Sequence, residues 1–198
     1  MGEDDNPWVK LGTERRYEDD FFAVEDDSVI NPAGRHTRYG IVRFKNVGLR
    51  ILPVDAAGYT FLVGQFRYAA SYFSWELPAG GQEPDEDARA CAARELEEEV
   101  GRSASSWMEL LDIVPSGSLT THRERSFVAW QLECKEQNLD EQEVIWVRRL
   151  PFGTAVQMAL SGEIRDAGTI TALLALHVRH LRRELPAELL NLLDQRSV

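Results

Sequence analysis

Three glutamates, Glu95, Glu98 and Glu99, are the residues whose type and spacing point most directly to chemistry. They lie in the stretch Gly80 to Gly101, GGQEPDEDARACAARELEEEVG, which carries eight Asp/Glu against two Arg. From Asp87 to Val100 it is rich in Ala, Leu, Glu and Arg, which predicts a helix. Pro84 and Asp85 suit the approach to that helix, and Gly101 suits its end. At about 100° per residue, Ala88, Cys91, Ala92, Leu96 and Val100 make the buried stripe. Glu95 and Glu99 fall within that stripe, Glu98 falls at its edge and Glu97 points away. Buried carboxylates need a countercharge, and Glu95 and Glu99 repel each other as an i,i+4 pair. Arg94 cannot balance three of them, whereas a divalent cation can. The alternative is an acidic helix face that simply meets water. An all-oxygen donor set suits Mg²⁺ or Mn²⁺ better than zinc. Such a site can neutralise a diphosphate, orient a hydroxide and stabilise charge on phosphoryl oxygens, as hydrolysis of a phosphoanhydride requires.

The stretch resembles the signature of the Nudix hydrolases, Gly-x5-Glu-x7-Arg-Glu-aliphatic-x-Glu-Glu-x-Gly-aliphatic. It matches at Gly80, Glu86, Arg94, Glu95, Leu96, Glu98, Glu99 and Gly101, and departs only at Arg102, where an aliphatic residue is usual. The resemblance covers roughly residues 47–180. It implies an α/β fold, an α/β/α sandwich with a mixed sheet. It makes Glu99 the main metal ligand, with Glu95, Glu98 and the Ala79 carbonyl sharing Mg²⁺ or Mn²⁺. Gly80, Glu86, Arg94 and Gly101 then support the site.

Beyond that box, LVGQFRY and WELPAGG are similar to the ADP-ribose pyrophosphatase and nucleotide-sugar hydrolase branch. Pro115, fourteen residues past Gly101, sits where that branch carries a proline. By this resemblance the substrate is a nucleoside diphosphate sugar such as ADP-ribose or GDP-mannose, Arg67 contacts it and Glu76 lies at the site rim. Phe21, Phe22 or Tyr39 is available to stack on the base, against an ordinary role in packing. Branch members carry an acidic pair after the proline, and here the loop reads PSGSLTTHRERSF, with Thr121 and His122 in its place. His122 becomes a candidate general base, alongside Glu98, Glu124, Glu141 and Glu143. Other Nudix substrates, such as a dinucleoside polyphosphate, a coenzyme or a capped RNA end, remain open. A sensor that binds without cleaving fits less well, because such modules lose box glutamates and all are present here.

These residues need a scaffold, and 198 residues with 43% hydrophobic content can build one. Residues 1–46 read as a small N-terminal β appendage. It has a loose lead-in over 1–12, then short β pieces (RRY, FFAVEDD, YGIVRF) broken by the turn Asn31-Pro32-Ala33-Gly34. It is too small and polar to hold a core alone. The resemblance makes it the dimerisation element of a homodimer. The basic cluster Arg35, His36 and Arg38 reads as a solvated turn. Residues 47–198 form the catalytic domain. A hairpin is predicted from Val47–Val54 and Tyr59–Tyr68, then strands at Tyr72–Gly81, Trp107–Val114, Ser126–Glu133 and Glu143–Leu150. A last helix from Thr169 should bury Ile170, Leu173, Leu174, Val178 and Leu181, leaving His177 and His180 at the surface. The net charge of −11 argues against a nucleic-acid partner. The acidic N-terminus and the lack of a long apolar run predict a cytoplasmic protein with no membrane partner. Cys91 and Cys134 show no metal-ligand spacing and ask for no disulfide.

Overall fold

The computed structural model describes residues 5–83, 85–138 and 144–195. The chain divides into two compact units. One comprises Met1–Val47 with Val114–Arg123, and the other Gly48–Ile113 with Glu124–Val198.

The first unit is an antiparallel sheet of β1 (Val9–Glu18), β2 (Phe22–Ile30) and β3 (His36–Phe44), in that order. The strands are longer than the sequence pieces suggested, and β1 begins inside the expected lead-in. Alternation along β2 buries Ala23, Glu25, Asp27 and Val29. Half of that inner face is acidic, so cations satisfy it in place of apolar contacts. Lys10 reaches Asp27 at 3.1 Å, Arg15 reaches Glu25 at 3.1 Å, and Arg43 binds Glu25. The sheet therefore has little apolar core of its own. Arg38 is taken up by Asp26 and Glu14. The segment Val114–Arg123 runs beside β3. Leu119 O accepts from the Val42 amide and Val42 O from the Thr121 amide, both at 3.0 Å.

In the second unit, β4 (Gly48–Pro53) is buried along nearly its whole length, the pattern of an interior strand. Next come β5 (Tyr59–Arg67), β6 (Tyr72–Glu76) and β7 (Ala79–Gly81). The expected hairpin does not form. The chain flanking their turn meets at a Val54–Thr60 bridge and through the Asp55 amide, which donates to the Tyr59 carbonyl at 2.9 Å, and β4 and β5 then enter different sheets. α1 (Ala88–Val100) leads directly into β8 (Arg102–Ile113), followed by β9 (Glu124–Cys134) and β10 (Trp146–Pro151). The sheets are β10-β5-β6, all antiparallel, and β7-β4-β9-β8, in which β4 and β9 run parallel. Three helices close the chain: α2 (Phe152–Ser161), α3 (Ala167–Leu181) and α4 (Ala187–Asp194).

The main apolar cluster joins the sheets to α2, α3 and α4 through Leu52, Leu62, Leu77, Val128, Leu173, Leu176 and Leu189. Helix α1 packs instead on β4, β7 and β8. This is the α/β/α arrangement with a mixed sheet. The N-terminal half of the expected α3 face holds, with Leu173 buried and Ile170 and Leu174 packed against the core, and the C-terminal half does not. Gly168, Thr169, Ala172, Leu173, Leu176 and His180 are buried, while Val178 and Leu181 are exposed. Small residues let the N-terminal half approach closely, and His180 is buried because Asp194 of α4 meets its Nε2 at 2.7 Å. No described helix is long and apolar enough to cross a membrane.

Candidate active site

The acidic helix α1 is defined by its two ends. The Asp87 carboxylate accepts from the amides of Arg89 and Ala90, as an N-cap does. Gly101 ends the helix in the left-handed region (φ 64°), and its amide reaches the carbonyls of Leu96 and Glu97. Pro84 lies outside the described residues. Between these ends, Glu99 is buried at 3% exposure and Glu97 is exposed. Glu95 is mostly buried and Glu98 more open, with side chains 13% and 37% exposed.

Arg94 organises the carboxylates. Its Nη1 donates to Glu95 at 2.8 Å and to Glu98 at 2.9 Å, and its Nε and Nη2 donate to Glu86 at 3.2 and 3.3 Å. One planar fork thus ties three glutamates. The hydrogen bond from Arg94 holds the Glu86 carboxyl below the ordinary glutamate range. Glu86 also accepts from the Glu83 amide at 3.1 Å, which closes the loop before the helix.

Strand β7 completes the site from the other side. The Ala79 amide donates to Glu99 Oε2 at 2.9 Å. At Gly80, an added Cβ would sit 1.9 Å from Glu95 Oε1, so any side chain at this strand position displaces the Glu95 carboxylate. Ala79, Gly80, Glu95, Glu98 and Glu99 therefore come together around α1 and β7. Among the described residues, no three His, Cys, Asp or Glu side chains already stand as a metal cage. Arg94 provides the positive charge between Glu95 and Glu98. The donor set itself, carboxylate oxygens with one carboxylate buried, fits a hard divalent cation.

The two residues expected at the substrate are paired with each other. Arg67 Nε and Nη2 bind both oxygens of Glu76 at 2.9 and 2.6 Å. Glu76 is buried at 3% exposure, and Arg67 keeps a partly open side chain because it closes over that carboxylate. His122 belongs to the first unit, where its ring stacks on Phe44 at 4.6 Å. Of the aromatics suggested for base stacking, Tyr39 donates to the Ser118 carbonyl at 2.6 Å, Phe22 packs on Tyr17 and Phe44, and Phe21 is 70% exposed. Glu124 is committed to Arg50 through two hydrogen bonds, at 2.8 and 3.0 Å. Glu141 and Glu143 lie outside the described residues. Arg102, the one departure from the box, opens β8 and lies over the Phe61 ring at 5.4 Å.

The NUDIX domain family matches residues 45–173. The chain belongs to the Nudix hydrolase family. This Nudix hydrolase falls in the branch of the ADP-ribose pyrophosphatases. It is 32% identical over 164 residues to the ADP-ribose pyrophosphatase of Mycobacterium tuberculosis (strain ATCC 25618 / H37Rv), covering 79% of this chain and 76% of the relative. It is 30% identical over 158 residues to the ADP-ribose pyrophosphatase of Bacillus subtilis (strain 168), covering 79% and 84%. A solved ADP compounds hydrolase superposes with a TM-score of 0.82 over 92% of this chain and 98% of that one; at 19% identity it speaks to the fold alone.

Three residues to which the sequence reading gave no role meet in one cluster: Arg50 donates to Thr169 Oγ1 and pairs with Asp166, both at 2.9 Å. The available signals were a lone Arg inside the apolar run VGLRILPV and an Asp before a helix start. Neither says that the two ends meet.

Proposed function

We propose that this Nudix hydrolase cleaves the diphosphate of a nucleoside diphosphate sugar, with Mg²⁺ or Mn²⁺ held by Glu95, Glu98, Glu99 and the Ala79 carbonyl. Water adds across the P–O–P linkage, so ADP-ribose gives AMP and ribose 5-phosphate. The observation that carries this reading is the pairing of a buried Glu99, oriented by the Ala79 amide, with Glu95 and Glu98 gathered on one guanidinium. The relatives' activity on ADP-ribose supports the substrate class. So does a GDP-mannose pyrophosphatase of Salmonella arizonae (strain ATCC BAA-731 / CDC346-86 / RSK2980), 32% identical over 133 residues that cover 61% of this chain and 67% of that one.

When bound, the divalent cation neutralises the diphosphate and draws charge from the phosphoryl oxygens. The chain's own residues do the rest. Arg94 orients Glu95 and Glu98, Glu86 steadies Arg94, and Gly80 leaves room for the Glu95 carboxylate. Arg67 offers the open side of its guanidinium to a substrate phosphate while Glu76 fixes its plane. Glu98, the most open of the three carboxylates, and His122 compete for the role of base. Replacing each with Gln and Ala, respectively, distinguishes them by which change removes the acid limb of the pH–rate profile.

Homodimerisation through the first unit belongs to the same reading. Strand β1 is an edge strand with every residue exposed, including Val9, Leu11 and Tyr17. Light scattering of the purified protein should give twice the chain mass. The activity test is incubation with ADP-ribose, GDP-mannose or UDP-glucose plus Mg²⁺. Release of a nucleoside monophosphate is expected from at least one, and its absence from all three would refute the proposal.

A further inference from the structure

We propose that Thr169 is a positioning residue of this centre: its hydroxyl pins the strand end that presents the Ala79 amide to Glu99. The inference rests on Glu99 being the principal metal carboxylate.

Thr169 is fully buried at the start of α3. Its Oγ1 accepts from the Leu77 amide at 2.9 Å and from Arg50 Nη1 at 2.9 Å. The hydroxyl is itself held in place. The Thr169 amide donates to Asp166 Oδ2 at 2.7 Å, and Asp166 pairs with Arg50 at 2.9 Å. Arg50 also grips Glu124 through Nε and Nη2. There is no slack in this node. A Cβ on Gly168 would lie 2.2 Å from Glu124 Oε1 and 2.5 Å from Arg50 Nε.

From Leu77 the constraint travels two residues. Pro78 has a fixed φ, and its carbonyl accepts from the Ile51 amide at 2.8 Å. The next amide, that of Ala79, is the one bonded to Glu99. Arg50 adds a second tether, since it is also the β4 residue paired with Ala79. A buried ion cluster serving stability alone would explain Arg50, Glu124 and Asp166. It would not require a hydroxyl aimed at the Leu77 amide, two residues from the metal carboxylate's donor.

The test compares Thr169→Val, which removes the acceptor, with Thr169→Ser, which keeps it. Calorimetric titration of the metal-free protein with Mn²⁺, without substrate, reads the site directly. Thr169→Val should bind Mn²⁺ about 10-fold more weakly, in line with the usual cost of losing an outer partner of a metal ligand. Its kcat should fall in parallel, with KM for ADP-ribose within about twofold. Thr169→Ser should restore both. A folded Thr169→Val with wild-type Mn²⁺ affinity overturns the proposal. If Thr169→Val does not fold, Thr169→Ala replaces it with the same expectation. If neither folds, Thr169→Ser decides, and a Mn²⁺ affinity reduced about fivefold or more refutes the role. Glu99→Gln runs alongside. If it too keeps wild-type Mn²⁺ affinity, the metal assignment fails and takes this inference with it; if it loses affinity while Thr169→Val does not, only the positioning role fails.

Discussion

Gly80→Ala should separate activity from stability in this protein. The backbone at Gly80 is an ordinary strand position with no positive φ, so alanine costs nothing in conformation. The steric demand is specific. The new Cβ would lie 1.9 Å from Glu95 Oε1 and 2.0 Å from its Cδ, where real contacts stop near 3.0 Å. The Glu95 carboxylate must therefore retreat by about 1 Å. It sits at the end of a flexible side chain, so it can swing away without disturbing the core, and the loss of stability should stay within about 1 kcal/mol. The retreat breaks or bends the 2.8 Å bond to Arg94, the group that also holds Glu98. A displacement of about 1 Å in a catalytic group is worth about 100-fold in rate. Steady-state turnover of ADP-ribose with Mg²⁺, measured beside the melting temperature, reads both effects. A Gly80→Ala protein with turnover within threefold of wild type would refute the argument that Glu95 must occupy that space.

Glu99→Gln keeps an oxygen to accept from Ala79 but loses the charge; turnover should fall at least about 100-fold while the melting temperature changes little. Arg94→Lys cannot reproduce a fork that spans Glu86, Glu95 and Glu98, so calorimetric Mn²⁺ affinity should drop about 10-fold although the charge is retained. Arg94→Ala tests linkage. The folded-state Glu86 carboxyl is held below its ordinary value near 4.5 by Arg94, so its contribution is complete above that value and is lost as pH falls through the lowered one. The melting temperature of Arg94→Ala should therefore fall less steeply than wild type below about pH 4.5. His180→Ala removes one partner of Asp194, which Arg183 also holds at 2.8 and 2.7 Å, and opens a cavity between α3 and α4. Denaturant unfolding should show a loss of about 1–3 kcal/mol with unchanged substrate KM.

What could be read from the chain and what could not divide along the range of the contacts. The helix α1, its glycine end and the separate placements of Glu95, Glu97 and Glu99 follow from a 3.6-residue period and local capping. The strands around it follow from apolar runs and turns. By contrast, β4 and β5 look like a hairpin because a tight turn joins them, yet β4 is an interior strand whose partners lie at Ala79–Gly81 and Glu124–Cys134. The α3 face was read correctly at Ile170, Leu173 and Leu174 and misread at its C-terminal end, where Val178 and Leu181 face water and His180 is buried. The Arg50–Thr169 bond spans 119 residues, and no local pattern marks either end. Arg67 and Glu76 were both singled out, but their mutual pairing needed the β5–β6 register.

The first unit is discontinuous in sequence: three strands come from the chain's beginning, and Val114–Arg123 returns to them from between β8 and β9. It is therefore not a cassette that can be cut off at residue 47. Removing the strands would strip Leu119 and Thr121 of the Val42 main chain and His122 of the Phe44 ring. The shortened protein would carry an orphaned excursion in the middle of its catalytic fold. Such a truncation would be a change in two places at once. A lineage that gains or loses this N-terminal sheet has to remodel the β8–β9 connection with it, so the two segments should be inherited together.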